Sequence, residues 1–383
     1  MKLNYFSFFV LFIVLSINII AQTDTTQKMD VNAAKYYNKS VECLKANNLN
    51  DAVHSIDSAL AISHDSRIVF LKGQICFKMN NWDCAVKEYE EYLTLDKTND
   101  IAYIQLAAAY NNTKQYDKAI AVNRNLISVT KDPSKKADAE TRIADMQQIQ
   151  AAEIFNQGID LYKVGKFDEA LAKFNSSLDL KKDPKVYLQK GITYLKMKKD
   201  AEAINEINSA IALDPNYDMA YLTLGGAYFG AKDFKNAIPN YQKALGKTSN
   251  DAVKKSCHES LKGLYFQAGV ADFTAKKYDS AIENFTSSNE QVPYDQACLW
   301  LGKSYTEKKK YDSALEAFDK ADSIKITVTE GAIAYYKGAL YKQKGDYDKA
   351  LVYFKQSLSD KTYGKSSKSE IDYITAVKKQ PKK

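Results

Sequence analysis

At 383 residues the chain exceeds one ordinary core, so two or three domains or a repeat array are expected. A hydrophobic fraction of 45% and a charged fraction of 26% exclude a disordered chain, and 15 Gly with 6 Pro argue against a turn-rich β protein. The net charge of +7 does not point to nucleic acid, because residues 361–383 hold seven Lys against Glu370 and Asp372, which leaves the body close to neutral.

The chain opens on "MKLNYFSFFVLFIVLSINIIAQ", one basic residue at Lys2 and then an apolar run to Ile20. Ala21 follows Ile19 at a spacing that a signal peptidase tolerates, so residues 1–21 read as a signal peptide cleaved after Ala21. The alternative is an uncleaved anchor helix over 3–20, about the ~18 residues that a span needs. Asn4, Ser7, Ser16 and Asn18 interrupt that run. In both cases Lys2 stays inside and the rest is exported. If the source is bacterial, the expected location is the periplasm, the cell envelope or outside. No later apolar run approaches spanning length. Cys43, Cys76, Cys84, Cys257 and Cys298 are odd in number and sparse, so they read as buried free thiols, with Cys76 and Cys84 the pair to test.

A series of near-copies then fills the chain. "NWDCAVKEY" starts at Asn81, "QYDKAIAVN" at Gln115, "KFDEALAKF" at Lys166, "DFKNAIPNY" at Asp233, "KYDSAIENF" at Lys277, "KYDSALEAF" at Lys310 and "DYDKALVYF" at Asp346. Weaker copies start at Asn48 and Lys199. The shared Ala is Ala52, Ala85, Ala119, Ala170, Ala203, Ala237, Ala281, Ala314 and Ala350, at intervals of 33, 34, 51, 33, 34, 44, 33 and 36. A period near 34 marks a helical repeat. Twelve residues before each Ala stands a second small residue: Ser40, Gly73, Ala107, Gly158, Gly191, Gly225, Gly269, Gly302 and Gly338. Each unit therefore reads as two antiparallel helices that approach closely at small residues. The aromatic three before the Ala starts the second helix, and a neighbouring Asp or Asn can cap it. Pro133, Pro184, Pro215 and Pro293 mark the ends of units, and Pro239 should kink a second helix.

This pattern resembles the tetratricopeptide repeat family. Its aromatic, Leu-Gly, aromatic, Ala, aromatic and Ala series appears as Tyr221, Leu224-Gly225, Tyr228, Ala237, Tyr241 and Ala244, and again as Leu301-Gly302, Tyr305, Ala314, Phe318 and Ala321. The resemblance covers about residues 33–363 and implies an all-α, right-handed superhelical solenoid of about nine helix-turn-helix units. The first unit departs by lacking the aromatic before Ala52, the fifth by Asp200, and the seventh by Asp272 in place of Tyr.

Two long intervals group the units into three blocks: 33–133, 151–251 and 262–363. The inserts at 134–150 and 252–261 have helical spacing and extend the first helices of the fourth and seventh units backward, starting at Asp132-Pro133 and at Asn250 or Asp251. They either separate three modules or only change the pitch. Residues 364–383 read as a capping helix, with Ile371, Ile374 and Val377 on one face, followed by a basic tail.

Little chemistry is legible. His54, His64 and His258 are scattered, and "GKTSN" at Gly246 has Tyr241 where a phosphate loop needs Gly. No enzyme, cofactor, metal or small-molecule substrate is expected. In the resembled family the first helices line a concave groove. That register places Tyr37, Phe70, Gln74, Phe77, Asn111, Phe155, Tyr162, Phe229, Phe266, Phe273 and Tyr335 in it. The family's carboxylate clamp does not transfer, because its positions hold residues such as Tyr37, Val41 and Leu71. The expected partner is a protein helix or an extended apolar peptide, with no nucleic acid. Membrane contact is expected only through an uncleaved N-terminus or the tail. The alternative for each ring is packing on the next helix. The expected role is a cell-envelope scaffold, and the alternative is a holding chaperone or peptide-binding receptor.

Overall fold

The computed structural model describes residues 28–379, so the segment read as a signal peptide and the last four residues of the tail lie outside the described residues. The described residues form nineteen helices and, among them, no strand. They divide into two compact units, one ending at Ile149 and the other beginning at Gln150.

In the first unit, α1 (Val31–Lys45) and α2 (Leu49–Leu60) form repeat 1. Repeat 2 is α3 (Ser66–Lys78) and α4 (Trp82–Leu95), and repeat 3 is α5 (Asp100–Asn112) and α6 (Tyr116–Val129). Successive helices pack on one another through the series. The first helices start where a short polar side chain accepts first-turn N–H groups, at Asp30, Asp65 and Asn99. α7 (Pro133–Lys163) follows, and the division between the units falls inside it. Its Met146 is buried and its Ile143 half-buried against repeat 3, while Ile149 is 43% exposed.

In the second unit, the end of α7 pairs with α8 (Phe167–Leu180) as repeat 4, where Phe155 and Phe174 lie 5.6 Å apart. Then come α9 (Pro184–Lys196) with α10 (Asp200–Leu213), and α11 (Asp218–Gly230) with α12 (Phe234–Lys247). Repeat 7 is α13 (Asp251–Thr274) and α14 (Tyr278–Gln291), and repeat 8 is α15 (Asp295–Glu307) and α16 (Tyr311–Ile324). Repeat 9 is α17 (Glu330–Lys344) and α18 (Tyr347–Gln356), followed by α19 (Gly364–Lys379). The insert at 252–261 is the start of α13, which Asn250 caps, and it lies inside this unit.

The repeat signature acts through one close approach. All nine shared Ala are fully buried. The small residue twelve before each faces the side chain sixteen residues later. A Cβ on Gly73 would stand 2.7 Å from the Tyr89 ring, and one on Gly269 would stand 2.7 Å from Phe285. The opposing residue is not always a ring: Gly191 faces Ile207, whose Cγ1 would stand 2.5 Å from an added Cβ. Ser40 donates to the Ala52 carbonyl at 2.8 Å in repeat 1, whose opposing residue is Ile56, and Ala107 belongs to repeat 3, whose opposing residue is the buried Asn123.

The turns share a second device. In each, the residue two after the first helix is left-handed: Asn47, Asn80, Lys114, Gly165, Lys198, Lys232, Lys276, Lys309 and, one residue out, Gly345. The next N–H returns to a carbonyl five residues back, as from Lys277 to Asp272 at 2.8 Å and from Lys310 to Tyr305 at 2.9 Å. That bond closes the helix end.

The second helices α6, α8, α10 and α14 do stop two to four residues before Pro133, Pro184, Pro215 and Pro293, and Pro133 and Pro184 then open the next helix, where a missing N–H costs nothing. Some sequence expectations change. α12 continues across Pro239, which stands in its second turn. Asn81, Asp233 and Asp346, each just before the aromatic, cap their second helices. Cys76 and Cys84 are not free thiols. They form a disulfide across the repeat 2 turn, with Cα atoms 5.7 Å apart, while Cys43, Cys257 and Cys298 are free.

Candidate protein-docking face

The residues placed in the groove by register all lie on first helices, and ten of the eleven are half-buried. Phe229 is the exposed one, at 36%. In the first unit, Tyr37 packs on the cluster of repeats 1 and 2. Burial raises its hydroxyl pKa, with Arg67 opposing and Asp65 adding to the shift. Phe70 stands 4.8 Å from Tyr92 and 5.9 Å from Tyr89, and Phe77 meets Trp82 edge-on at 5.2 Å. Gln74 is on α3 between these rings in sequence. Asn111 on α5 has a buried Oδ1 with no hydrogen-bond partner.

In the second unit, Phe155 and Tyr162 pack on Phe174 and Phe167, and Phe229 lies 6.2 Å from Phe234. Repeats 7 to 9 go further and hold a tract of two ring groups, which Lys303 bridges. Phe266 contacts Phe285 and Tyr294, and Phe273 contacts Tyr278 and Trp300. Tyr335 stacks on Tyr363 at 4.9 Å and meets Tyr336 at 5.3 Å. Each ring thus gives part of its surface to the fold and leaves part open. The preorganised rings lose little entropy on binding.

Trp300, Tyr336, Tyr363 and Lys303 belong to this tract but not to the register-derived set. Lys303 Nζ stands 3.4 Å from the Trp300 ring centroid. The sequence signal available was the rings that flank the shared glycines, Trp300 and Tyr305 around Gly302 and Tyr335 and Tyr336 before Gly338. A lone Lys on a polar helix face carries no such signal.

The other polar groups read as structural. Lys72 of α3 pairs with the buried Glu88 at 3.1 Å and with Asp57 at 3.2 Å, and Lys190 pairs with Glu206 at 2.9 Å at the equivalent positions of repeat 5. His54 contacts the Asn50 carbonyl at 2.8 Å, His64 lies 3.4 Å from Glu91, and His258 lies 3.0 Å from Gln291. Burial pushes the Cys257 and Cys298 thiols up, away from the reactive thiolate. Among the described residues no group of three His, Cys, Asp or Glu is arranged to hold a metal ion, and no helix is long and apolar enough to cross a membrane.

Comparisons with known proteins agree with this reading of the helices. Models described as tetratricopeptide repeat match residues 188–252, 295–325 and 330–359. The chain is 23% identical over 228 residues to the DnaJ homolog subfamily C member 7 homolog of Schizosaccharomyces pombe, covering 58% of this chain and 46% of that protein. It is 27% identical over 150 residues to the Hsp70-Hsp90 organizing protein of Triticum aestivum, covering 37% and 26%. It is 29% identical over 113 residues to heat shock protein STI1 of Saccharomyces cerevisiae, covering 29% and 19%. The chain thus spans less than half the length of each of these relatives. Among solved structures, the TPR domain of P58(IPK) aligns over 91% of this chain and 98% of its own, with a TM-score of 0.31 and 12% identity. The MamA protein aligns over 48% and 94%, with a TM-score of 0.34 and 24% identity. By its paired helices, the spacing of its buried Ala and the segments that match, this chain is built of tetratricopeptide-type helix-turn-helix units.

Proposed function

We propose that the chain is a non-enzymatic scaffold of the cell envelope that holds partner helices or extended apolar peptides against its aromatic first-helix face. Tetratricopeptide repeats mediate protein–protein interaction, and the relatives named above include chaperone organisers. The observation that carries the finer reading is the tract of half-open rings on first helices, densest in repeats 7 to 9. Rings held this way are the residue type that dominates interface energy.

Export is supported by the leader-like residues 1–21 and by the Cys76–Cys84 disulfide, a bond that persists in oxidising compartments. Protein from the native host that starts at Gln22 and, unfolded without reduction, has only three thiols to alkylate is the expected result. A start at Met1 with five free thiols counts against export.

Crosslinking with mass spectrometry in the native host tests the docking reading. Partner peptides should attach beside Phe70, Phe77, Phe229 and Phe266. Phe229→Glu places a charge on the most open ring and spares the core, so it should reduce partner recovery with an unchanged helical signal. Full recovery in that variant, and in one with Phe70 and Phe77 made polar, rejects the face. A holding chaperone is the second reading, favoured by the chaperone-linked names of the relatives. It requires suppressed aggregation of unrelated unfolded proteins, whereas a scaffold keeps one fixed set of partners.

A further inference from the structure

Lys303 of α15 is half-buried inside a frame of rings from three consecutive first helices. Its Nζ lies 3.4 Å from the Trp300 centroid, 4.9 Å from that of Tyr336 on α17 and 5.3 Å from that of Phe273 on α13. Other sheltered lysines bring their own carboxylate: Lys72 has Glu88, Lys190 has Glu206, Lys262 has Glu259 and Lys337 has Asp319. Lys303 has no ion-pair partner among the described residues, and Glu307 acts on it only through its field. Burial pushes its ammonium down to about 8, with Glu307 opposing that shift. The ring faces also favour the charged form.

A cation partly removed from water without a counter-ion leaves part of its desolvation cost uncompensated. We propose that Lys303, Trp300, Tyr336 and Phe273 form a receiving site for one Asp or Glu side chain of a partner protein, whose flanking apolar groups lie on the rings. This rests on the docking reading above and gives the partner of repeats 7 to 9 its chemistry: an acidic residue between aromatic or aliphatic ones. A single carboxylate fits better than a phosphate or a polyanion, because Lys262 and Lys337 are already neutralised and one ammonium remains.

The chain has two tryptophans, Trp82 and Trp300, so Trp82→Phe leaves Trp300 as the only indole reporter. The probes are acetyl-Phe-Glu-Phe-amide and its Gln isostere, titrated against Trp300 emission in the full exported chain. The Glu peptide should saturate at roughly ten-fold lower concentration, as one charge-assisted contact implies. Lys303→Met should reduce that preference to near unity, and Lys303→Arg should keep most of it. Equal response to both peptides, no saturable response to either, or full competition by inorganic phosphate at matched concentration overturns the assignment, and none of these needs a variant at Lys303. Retained preference in a folded Lys303→Met protein overturns it as well. If acid preference fails while crosslinked partners persist, only this inference falls. If Phe229→Glu and the Phe70 and Phe77 variants retain every partner, the docking reading falls instead.

Discussion

Asp295 is fully buried, yet its carboxylate accepts from the N–H groups of Ile326, Thr327 and Val328 and from the Thr327 hydroxyl. Burial alone would raise its pKa, but these donors outweigh burial and hold it below the usual carboxylate range. Because the folded value is depressed, the stabilisation is present above the unfolded value near ~4 and is lost as pH falls through the lower folded value. Asp295→Ala should lose roughly 2–4 kcal/mol at pH 7 in urea unfolding. The gap to the unaltered chain should narrow as pH drops below ~4. A gap that stays constant down to pH 3 would show that the carboxylate charge is not what matters. Gly269 is the second residue-scale case. A methyl there meets the Phe285 ring at 2.7 Å, so Gly269→Ala should cost about 1–3 kcal/mol. In a Phe285→Ala background the same change should cost less, because the ring that the methyl meets is gone. A double-mutant cycle with no coupling rejects this packing account. These two residues also differ in legibility. The glycine was visible as a small residue at fixed spacing. Asp295 looked like any first-turn acid, because the N–H groups that bury it come from a loop thirty-one to thirty-three positions away.

At the scale of the element, second helices began where an aromatic at fixed spacing said they would, at Trp82, Tyr116, Phe167, Phe234, Tyr278, Tyr311 and Tyr347. Local pattern sufficed because the period repeats and each copy supports the others. What stayed hidden was the backbone of the turn. Five of its nine left-handed positions are Lys, a residue with no preference for that region, so composition gave no sign of it. Lys276 and Lys309 stand at φ 59° and φ 58°, and both carry a Cβ penalty that Gly would remove. Lys276→Gly should therefore stabilise by about 0.5–1 kcal/mol, after the larger unfolded-state entropy of Gly is subtracted. Gly345→Ala, at φ 83°, should destabilise by a similar or larger amount. Opposite signs for the two in thermal melts are the expected outcome, and a loss in both would mean that the lysine chain contributes more than its backbone costs. The candidate face shows the same division. Register placed Phe266, Phe273 and Tyr335 on first helices, but Lys303 acquires its three rings only when α13, α15 and α17 lie side by side.

At the scale of the whole molecule, a repeat array is stabilised mainly between neighbours, so its ends decide how far fraying travels. α19 closes the second unit by covering the last second helix. Its Ile374 is fully buried with Phe354 and Ala350, and Ile371 packs on the same cluster with Tyr335. Glu370 and Asp348 tie it further, through Lys342 and Lys378. Deleting 364–383 would expose Phe354, the ring that fills the space against Gly338, and would free one side of Tyr335 in the aromatic tract. Burying a side chain of that size is worth about 1.5–3 kcal/mol, enough to shift the local opening of repeat 9 by ten-fold or more. Amide exchange should accelerate across α17 and α18, fade through α15 and α16, and leave α9 to α12 at their original rates. If the acceleration is instead uniform from α8 to α18, the second unit unfolds as one cooperative body and nearest-neighbour coupling does not describe it. If α17 and α18 do not change, α19 is an appendage rather than a cap, and the aromatic tract owes its order to repeats 7 to 9 alone.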